Sequence, residues 1–217
     1  MNKIQTLLTT TVLLFGISGS VIADFNDGLV AYEKGEYKTA FNEWKSSAEQ
    51  GDATAQVSLG LMYANGEGVL KDDKEAVKWY LKAAEQGQAN AQNNLGVMYY
   101  NGKGVLKDDK EAVRWYLKAA EQGNAGAQFN LGVMYRNGEG VLKDDKEAVR
   151  WYLKAAEQGD AKAQLNLGVR YAIGKGVLKD LSKAKYWIKK TYENPDAGAD
   201  VIERAKKAWN ILELWKY

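Results

Sequence analysis

The sequence predicts an all-α chain: a solenoid of stacked helix-turn-helix repeats with a C-terminal capping helix. Three observations predict it. The stretch from Gln88 to Gly123 returns 36 residues later, from Asn124 to Gly159, with five residues changed, and an earlier copy runs from Asp52 to Gly87. A period of about 20–50 residues marks stacked supersecondary units. Each copy holds two apolar runs at helical spacing, and turn or capping residues punctuate each run.

Taken in order, residues 1–23 have the form of a secretory leader. Lys3 supplies the positive start, Leu7 to Ile17 the apolar run, and Val21-Ile22-Ala23 a small-residue cleavage site before Asp24. An uncleaved anchor is the alternative, but the run is short and threonine-rich for a span. No later stretch is long and apolar enough to cross a bilayer, so an exported, soluble mature chain is expected, periplasmic or secreted.

Residues 24–51 form a degenerate first unit. A short helical pattern, Gly28 to Tyr32, ends at Lys34-Gly35-Glu36, and a second runs from Tyr37 to Ala48. Its Trp44 falls one place later than the tryptophan of the other units. Full units follow at 52–87, 88–123 and 124–159. In the middle one, Ala89, Ala91, Gln92, Leu95, Gly96 and Tyr99 define the first helix, which Asn101-Gly102-Lys103-Gly104 ends. Asp108 and Glu111 have the spacing of a capping box for the second helix. Its buried stripe is Ala112, Trp115, Tyr116, Ala119 and Ala120. Alone, one unit would leave its tryptophan wet; stacking buries it. Residues 160–195 are a divergent unit whose second helix opens on Asp180 without the acidic capping partner. Residues 196–217 supply a last helix, capped by Asp200, with Val201, Ala205, Ala208, Trp209, Leu212 and Trp215 on its apolar face.

Composition narrows the chemistry. The chain has no cysteine and no histidine, and its net charge is +2. That removes disulfides, thiol catalysis, cysteine–zinc sites and the ordinary catalytic triad, and leaves no electrostatic case for nucleic acid. None of the four serines after the leader, Ser46, Ser47, Ser58 and Ser182, is read as a penicillin-type nucleophile. The acidic pairs Asp72-Asp73, Asp108-Asp109 and Asp144-Asp145 are explained by helix capping more simply than by a metal ladder. The glycine pairs are helix-ending turns, not phosphate loops. Trp79, Trp115, Trp151 and Trp187 are read as core, not as a stacking platform. No cofactor and no metal are expected.

The pattern A-x-A-Q-x-x-L-G-x-x-Y-x-N-G-x-G-V…D…A-x-x-W-Y-x-K-A-A-E-Q-G resembles the Sel1-like repeat of the tetratricopeptide-like superfamily, over roughly residues 24–187. The resemblance implies a right-handed solenoid whose first helices line a concave groove, and a non-catalytic scaffold for protein or peptide partners, often exported by bacteria. A cysteine-rich branch of the family resembles β-lactamases or penicillin-binding proteins. Its hallmark paired cysteines are missing here, so cell-wall fragment or β-lactam binding or hydrolysis stands as the alternative function.

The two nearly identical copies locate a candidate groove. They differ at Gln88/Asn124, Asn90/Gly126, Asn93/Phe129, Tyr100/Arg136 and Lys103/Glu139. Three of these changes share one narrow face of the first helix at about 100° per residue. Either a partner meets that face or exposed residues have drifted. Lys162 and Leu165 continue it in the divergent unit. Beside it, Asn94, Asn130 and Asn166 share a register, suited to an extended peptide's backbone or to hydrogen bonds between neighbouring helices. Tyr100, Phe129, Arg136 and Leu165 would anchor side chains. Arg136 with Lys162 and Arg170 would favour an acidic or C-terminal carboxylate ligand. The chain is expected to be monomeric.

Overall fold

The computed structural model describes residues 19–216, with side chains from Phe25 to Leu214 and at Lys216. Most of the expected leader, residues 1–18, and the Trp215 side chain lie outside the described residues. Eleven α-helices follow one another, and no strand occurs among the described residues. They are α1 (Gly19–Glu33), α2 (Tyr37–Glu49), α3 (Ala53–Asn65), α4 (Asp73–Glu85), α5 (Ala89–Asn101), α6 (Asp109–Glu121), α7 (Ala125–Asn137), α8 (Asp145–Glu157), α9 (Ala161–Ile173), α10 (Leu181–Tyr192) and α11 (Ala199–Ile211). A 3-10 turn, Leu214–Lys216, follows. Odd-numbered helices up to α9 are the first helices of units, and each packs on the even-numbered helix after it and, from α3 on, also on the one before it. The chain is an α-solenoid, as its repeat predicts.

Within a unit the two helices touch through a glycine. The ring of Tyr116 on α6 lies on Gly96 of α5, where an added Cβ would come within 2.6 Å of it. Tyr80 lies on Gly60 in the same way, and Tyr152 on Gly132. In the degenerate unit Trp44 covers Gly28, and in the divergent unit Ile188 covers Gly168. Trp44 therefore takes the tyrosine's place, which explains its one-residue displacement from the other tryptophans. Its Nε1 donates to the Phe25 carbonyl at 3.1 Å.

Between units the tryptophans and a glutamine ladder make the joint. Trp115 lies in a core shared with the preceding unit, with Tyr80 and Ala83 of that unit and Leu95 and Met98 of its own; Trp151 does the same one unit on. Gln92 is buried, yet its amide is satisfied at both ends. Nε2 donates to the Ala84 carbonyl at 3.1 Å, and Oε1 accepts from Gln122 at 2.7 Å. Gln56 and Gln128 repeat the arrangement. A buried amide with both halves paired fixes register, because a slip would strand two polar groups at once.

The helix ends follow their signals with one difference. Gly102 takes the left-handed conformation at φ 65°, closing α5. Asp108 accepts from the N–H groups of Lys110 and Glu111 at 3.0 Å each, capping α6. The reciprocal half of the expected capping box does not form. The Asp108 N–H donates instead to the Tyr99 carbonyl at 3.1 Å, and Glu111 turns to Arg114. The chain entering α6 is thus tied back to α5 by its backbone, which removes the donor that Glu111 would have met.

Both ends depart from expectation. α1 begins at Gly19, well before the pattern that starts at Gly28, and so crosses the expected cleavage point. At the far end Gly198, not Asp200, occupies the N-cap of α11, and Asp200 lies in the first turn. Val201 and Ala205 of α11 and Leu214 close over Leu165, Ala172 and Ile188. These elements seal the last unit.

Replacing Gly96 with alanine is expected to lower stability by about 1–3 kcal/mol, because the Tyr116 ring and the α5–α6 spacing must both give. Chemical denaturation of the Gly96→Ala chain checks this; an unchanged midpoint would show that the glycine does not set the approach.

Candidate functional site

The first helices turn one face away from the second helices. On α5 that face carries Asn90, Asn94, Val97 and Asn101, spaced four, three and four residues apart, the spacing of one helical stripe. Asn90, Asn94 and Val97 are half-buried and Asn101 is exposed. On α7 the same positions are Gly126, Asn130, Val133 and Asn137, and on α9 Lys162, Asn166, Val169 and Ile173. Lys162 and Ile173 are exposed, and the valines are half-buried throughout. Amides and aliphatic groups share the strip.

Asn90/Gly126 lies on this strip and the other residues that differ between copies flank it, and most are tied to the neighbouring unit. Asn93 accepts from Asn130 Nδ2 at 3.1 Å, and Asn90 accepts from Asn124 Nδ2 at 2.9 Å. The Tyr100 hydroxyl donates to Glu139 at 3.2 Å, and Tyr32 donates to Glu67 at 2.9 Å from the equivalent place in the first unit. Two of the five differences are therefore partners, since tyrosine in one unit goes with glutamate in the next. Burial first, then the Glu139 carboxylate, pushes the Tyr100 hydroxyl above its ordinary pKa. Phe129 packs against the Tyr152 ring, with 5.9 Å between centroids. Arg136 NH1 donates to Asn166 Oδ1 at 3.1 Å, and its Nε to Asn137 Oδ1 at 3.0 Å.

Of the two roles open to the asparagine register, Asn130 and Asn166 have partners within the chain. Asn166 also donates to the Lys162 carbonyl at 2.8 Å. Asn94 is half-buried with no hydrogen-bond partner among the described residues. Its counterpart in the preceding unit, where Asn130 finds Asn93, is Val57, which has nothing to offer. Leu165, expected as a groove anchor, is 4% exposed beneath α11 and Leu214 and is closed to a partner. The cause is the capping helix, which takes the side of α9 that a further repeat would cover.

The sequence comparison missed the aliphatic row Leu61, Val97, Val133 and Val169. It looked for differences between copies, and this row hardly varies. The signal was present as a stripe running through positions 90, 94, 97 and 101. It also passed over Ser182-Lys183-Ala184-Lys185, which has Ser-x-x-Lys spacing. Ser182 is exposed in the first turn of α10, and Lys185 Nζ lies 5.8 Å from the Trp209 ring centre. Neither Ser-Asp-Asn nor Lys-Thr-Gly occurs in the chain to complete that chemistry. The first aspartate of each pair serves as a cap, as at Asp72 and Asp144.

The sequence matches the Sel1 repeat family over residues 53–88, 89–124, 125–160 and 161–196. The chain belongs to that family. This Sel1 repeat protein is similar to a protective antigen of uropathogenic Escherichia coli strains with an SLR fold, at 35% identity and a TM-score of 0.77, over 90% of this chain and 46% of that one. It is also similar to a Sel1 repeat protein from Oxalobacter formigenes, at 36% identity and a TM-score of 0.76, over 96% and 82% of the two chains. An exopolysaccharide production negative regulator of Rhizobium leguminosarum bv. viciae is 36% identical over 72 residues, 30% of this chain and 27% of the relative. An F-box protein of Arabidopsis thaliana is 39% identical over 61 residues, 28% of this chain and 17% of the relative. This Sel1 repeat chain thus spans only a fraction of these two curated relatives and about half of the E. coli antigen.

One cap of this Sel1 repeat stack carries a pH signature. Asp160 accepts from the Ala163 N–H at 2.7 Å, and Asn124 caps α7 identically through Ala127 at 2.8 Å. Burial pushes the Asp160 carboxyl above the ordinary range, with the Ala163 N–H opposing. A raised folded pKa means that folding disfavours the charged form, so stability is lost as pH rises from the unfolded value, about 4, through the folded one. Asp160→Asn keeps the cap without the charge. It is expected to melt above the parent at neutral pH, with the gap closing as pH falls below about 4. Melting curves across pH check this; a gap that widens on acidification would reverse the sign.

Proposed function

We propose that this Sel1 repeat chain is a non-catalytic scaffold that holds an extended peptide, or an exposed segment of a protein partner, along the strip of first helices. The observation that carries the reading is the strip from α5 to α7, where amides with a donor and an acceptor each lie beside half-buried valines. Such a surface can hold a peptide backbone while its valines take apolar side chains. The unpartnered Asn94 amide adds to it. Tyr100, Phe129 and Arg136, on the flank, are of the types that dominate binding energy. Membership of a repeat family built as a scaffold supports the same reading.

We further propose that the chain is exported. Lys3, the apolar run from Leu7 to Ile17 and the small residues before Asp24 support this. Cleavage after Ala23 would spare Phe25, which stacks on Trp44 at 6.0 Å between centroids and accepts its indole N–H.

Three measurements test these proposals. Tyr100→Ala with Arg136→Ala should weaken capture of crosslinked envelope partners about tenfold without loss of helicity, since alanine already stands in that register at Ala64 and Ala172. Undiminished capture by the folded variant would remove the assignment, and turnover of a chromogenic β-lactam would overturn the non-catalytic reading. N-terminal sequencing of the protein recovered from the envelope should begin at Asp24; a retained leader would refute cleavage.

A further inference from the structure

The loop between the two helices of a unit turns one residue inward and the next outward. Val105 packs against the core around Leu95 and Met98. Val141 and Val177 do so in their own units. The leucine after each valine faces water: Leu70 is 89% exposed, and Leu106, Leu142 and Leu178 are each 91% exposed. The loop cannot fold this leucine in, because its backbone is held on both sides. Gly104 lies on the Asp73 carbonyl at the start of α4, where an added Cβ would collide, and the Asp108 N–H is bonded to the Tyr99 carbonyl. Gly68, Gly140 and Gly176 lie in the same way on the carbonyls of Tyr37, Asp109 and Asp145. Each loop thus rests on the second helix of the unit before it, and the four leucines form one row along an edge of the stack. A single exposed leucine is ordinary; four in one register make an apolar edge that calls for a cover.

The charges beside the leucines alternate along the row. Residues 67–74 carry Glu67, Lys71, Asp72, Asp73 and Lys74, a net charge of −1. Residues 103–110 differ only in having Lys103 for Glu67, and are +1. Glu139 returns the third loop to −1, and Lys175, Lys179 and Asp180 make residues 175–182 +1. The edge as a whole is therefore neutral, without the excess of cations that draws a surface to an anionic bilayer. Tyrosines of the preceding units account for the glutamates, since Tyr32 donates to Glu67 and Tyr100 to Glu139. Each carboxylate keeps further lone pairs. Lys103 and Lys175 are exposed and pair with no carboxylate among the described residues.

We propose that this edge pairs with the same edge of a second copy of the chain, antiparallel, about a two-fold axis between Leu106 and Leu142. Leu70 of each copy then lies opposite Leu178 of the other, and Leu106 opposite Leu142. The same register sets every −1 loop against a +1 loop, Glu67 against Lys175 and Lys103 against Glu139. A parallel two-fold pairing would set like on like. So would an antiparallel pairing slipped by one unit, and a slip of two would leave half the leucines uncovered. The alternation selects one register among those the leucines alone would accept. The contact is isologous, so it closes as a dimer and does not propagate. Four leucines a side make a small interface, which suits a reversible dimer. This dimer replaces the monomer expected from the sequence, and it does not depend on the peptide reading of the first-helix strip.

Sedimentation equilibrium of the purified chain, from micromolar to millimolar concentration, should show the mass rising towards twice that of the monomer. Leu106→Asp with Leu142→Asp, both at the surface, should weaken the dimer at least about tenfold with the melting temperature held. Lys103→Glu should weaken it as well, and adding Glu139→Lys should restore it. The chain has no cysteine, so introduced ones report the register. Oxidising a mixture of Leu106→Cys and Leu142→Cys chains should give a covalent dimer; oxidising either alone should not. A monomer throughout the concentration range would overturn the proposal. A dimer that survives the leucine exchange would overturn the edge. Crosslinking of Leu106→Cys with itself, without the mixed product, would overturn the antiparallel register. A monomer held to phosphatidylglycerol vesicles by these leucines would give the edge to a membrane and refute the second copy.

Discussion

The stack depends on one close approach, repeated in every unit: an aromatic or branched side chain of the second helix lying directly on a glycine of the first. Because the glycine presents only backbone, the two helices come near enough for their alanine faces to meet, and the hairpin becomes a rigid brick. The brick's dimensions then repeat, so the next one can be laid against it with the same tryptophan and glutamine contacts. Where the covering side chain changes, to Trp44 in the first unit and Ile188 in the last, the glycine beneath it does not.

Rigidity within a unit and register between units come from different physics. The first is packing, which tolerates little change in volume. The second is polar. The buried glutamines are each satisfied by a carbonyl of the preceding unit and by a second amide, an arrangement with one solution. At the end of the chain Asn194 takes the place of Gln86, Gln122 and Gln158, donating to Gln164 at 3.3 Å and to the Gly159 carbonyl at 2.7 Å. The ladder is thereby closed where the repeat runs out, and α11 covers the apolar side left over.

Function is left to the face that neither packing nor register uses. Its asparagines, valines and flanking aromatic and arginine residues are free of the fold's main demands, though not of each other. Tyr100 with Glu139 and Asn93 with Asn130 show that residues which vary between copies can answer to a neighbour in the chain as well as to a partner outside it. Arg136 belongs to both groups, braced by Asn166 yet carrying a charge that no acid in direct contact offsets.

The sequence by itself determined the helices, their pairing, the stacking and the buried tryptophans, because repetition and helical periodicity are local and every copy restates them. It also marked the first-helix face around Asn90, Asn94 and Asn130, since only exposed or interfacial positions could change between otherwise identical units. Tertiary structure alone decided which of those positions remain open. Leu165 reads like Phe129 in register, but α11, distant in sequence, covers it. The Glu111 half of the capping box is spelled out in the chain, yet the Tyr99 carbonyl takes its donor. Asn94 and Asn130 are the same residue in the same register, and only the side chain of the preceding unit, Val57 or Asn93, decides which is satisfied. In each case the deciding contact lies on another helix or in another unit, and no pattern along a single helix encodes it.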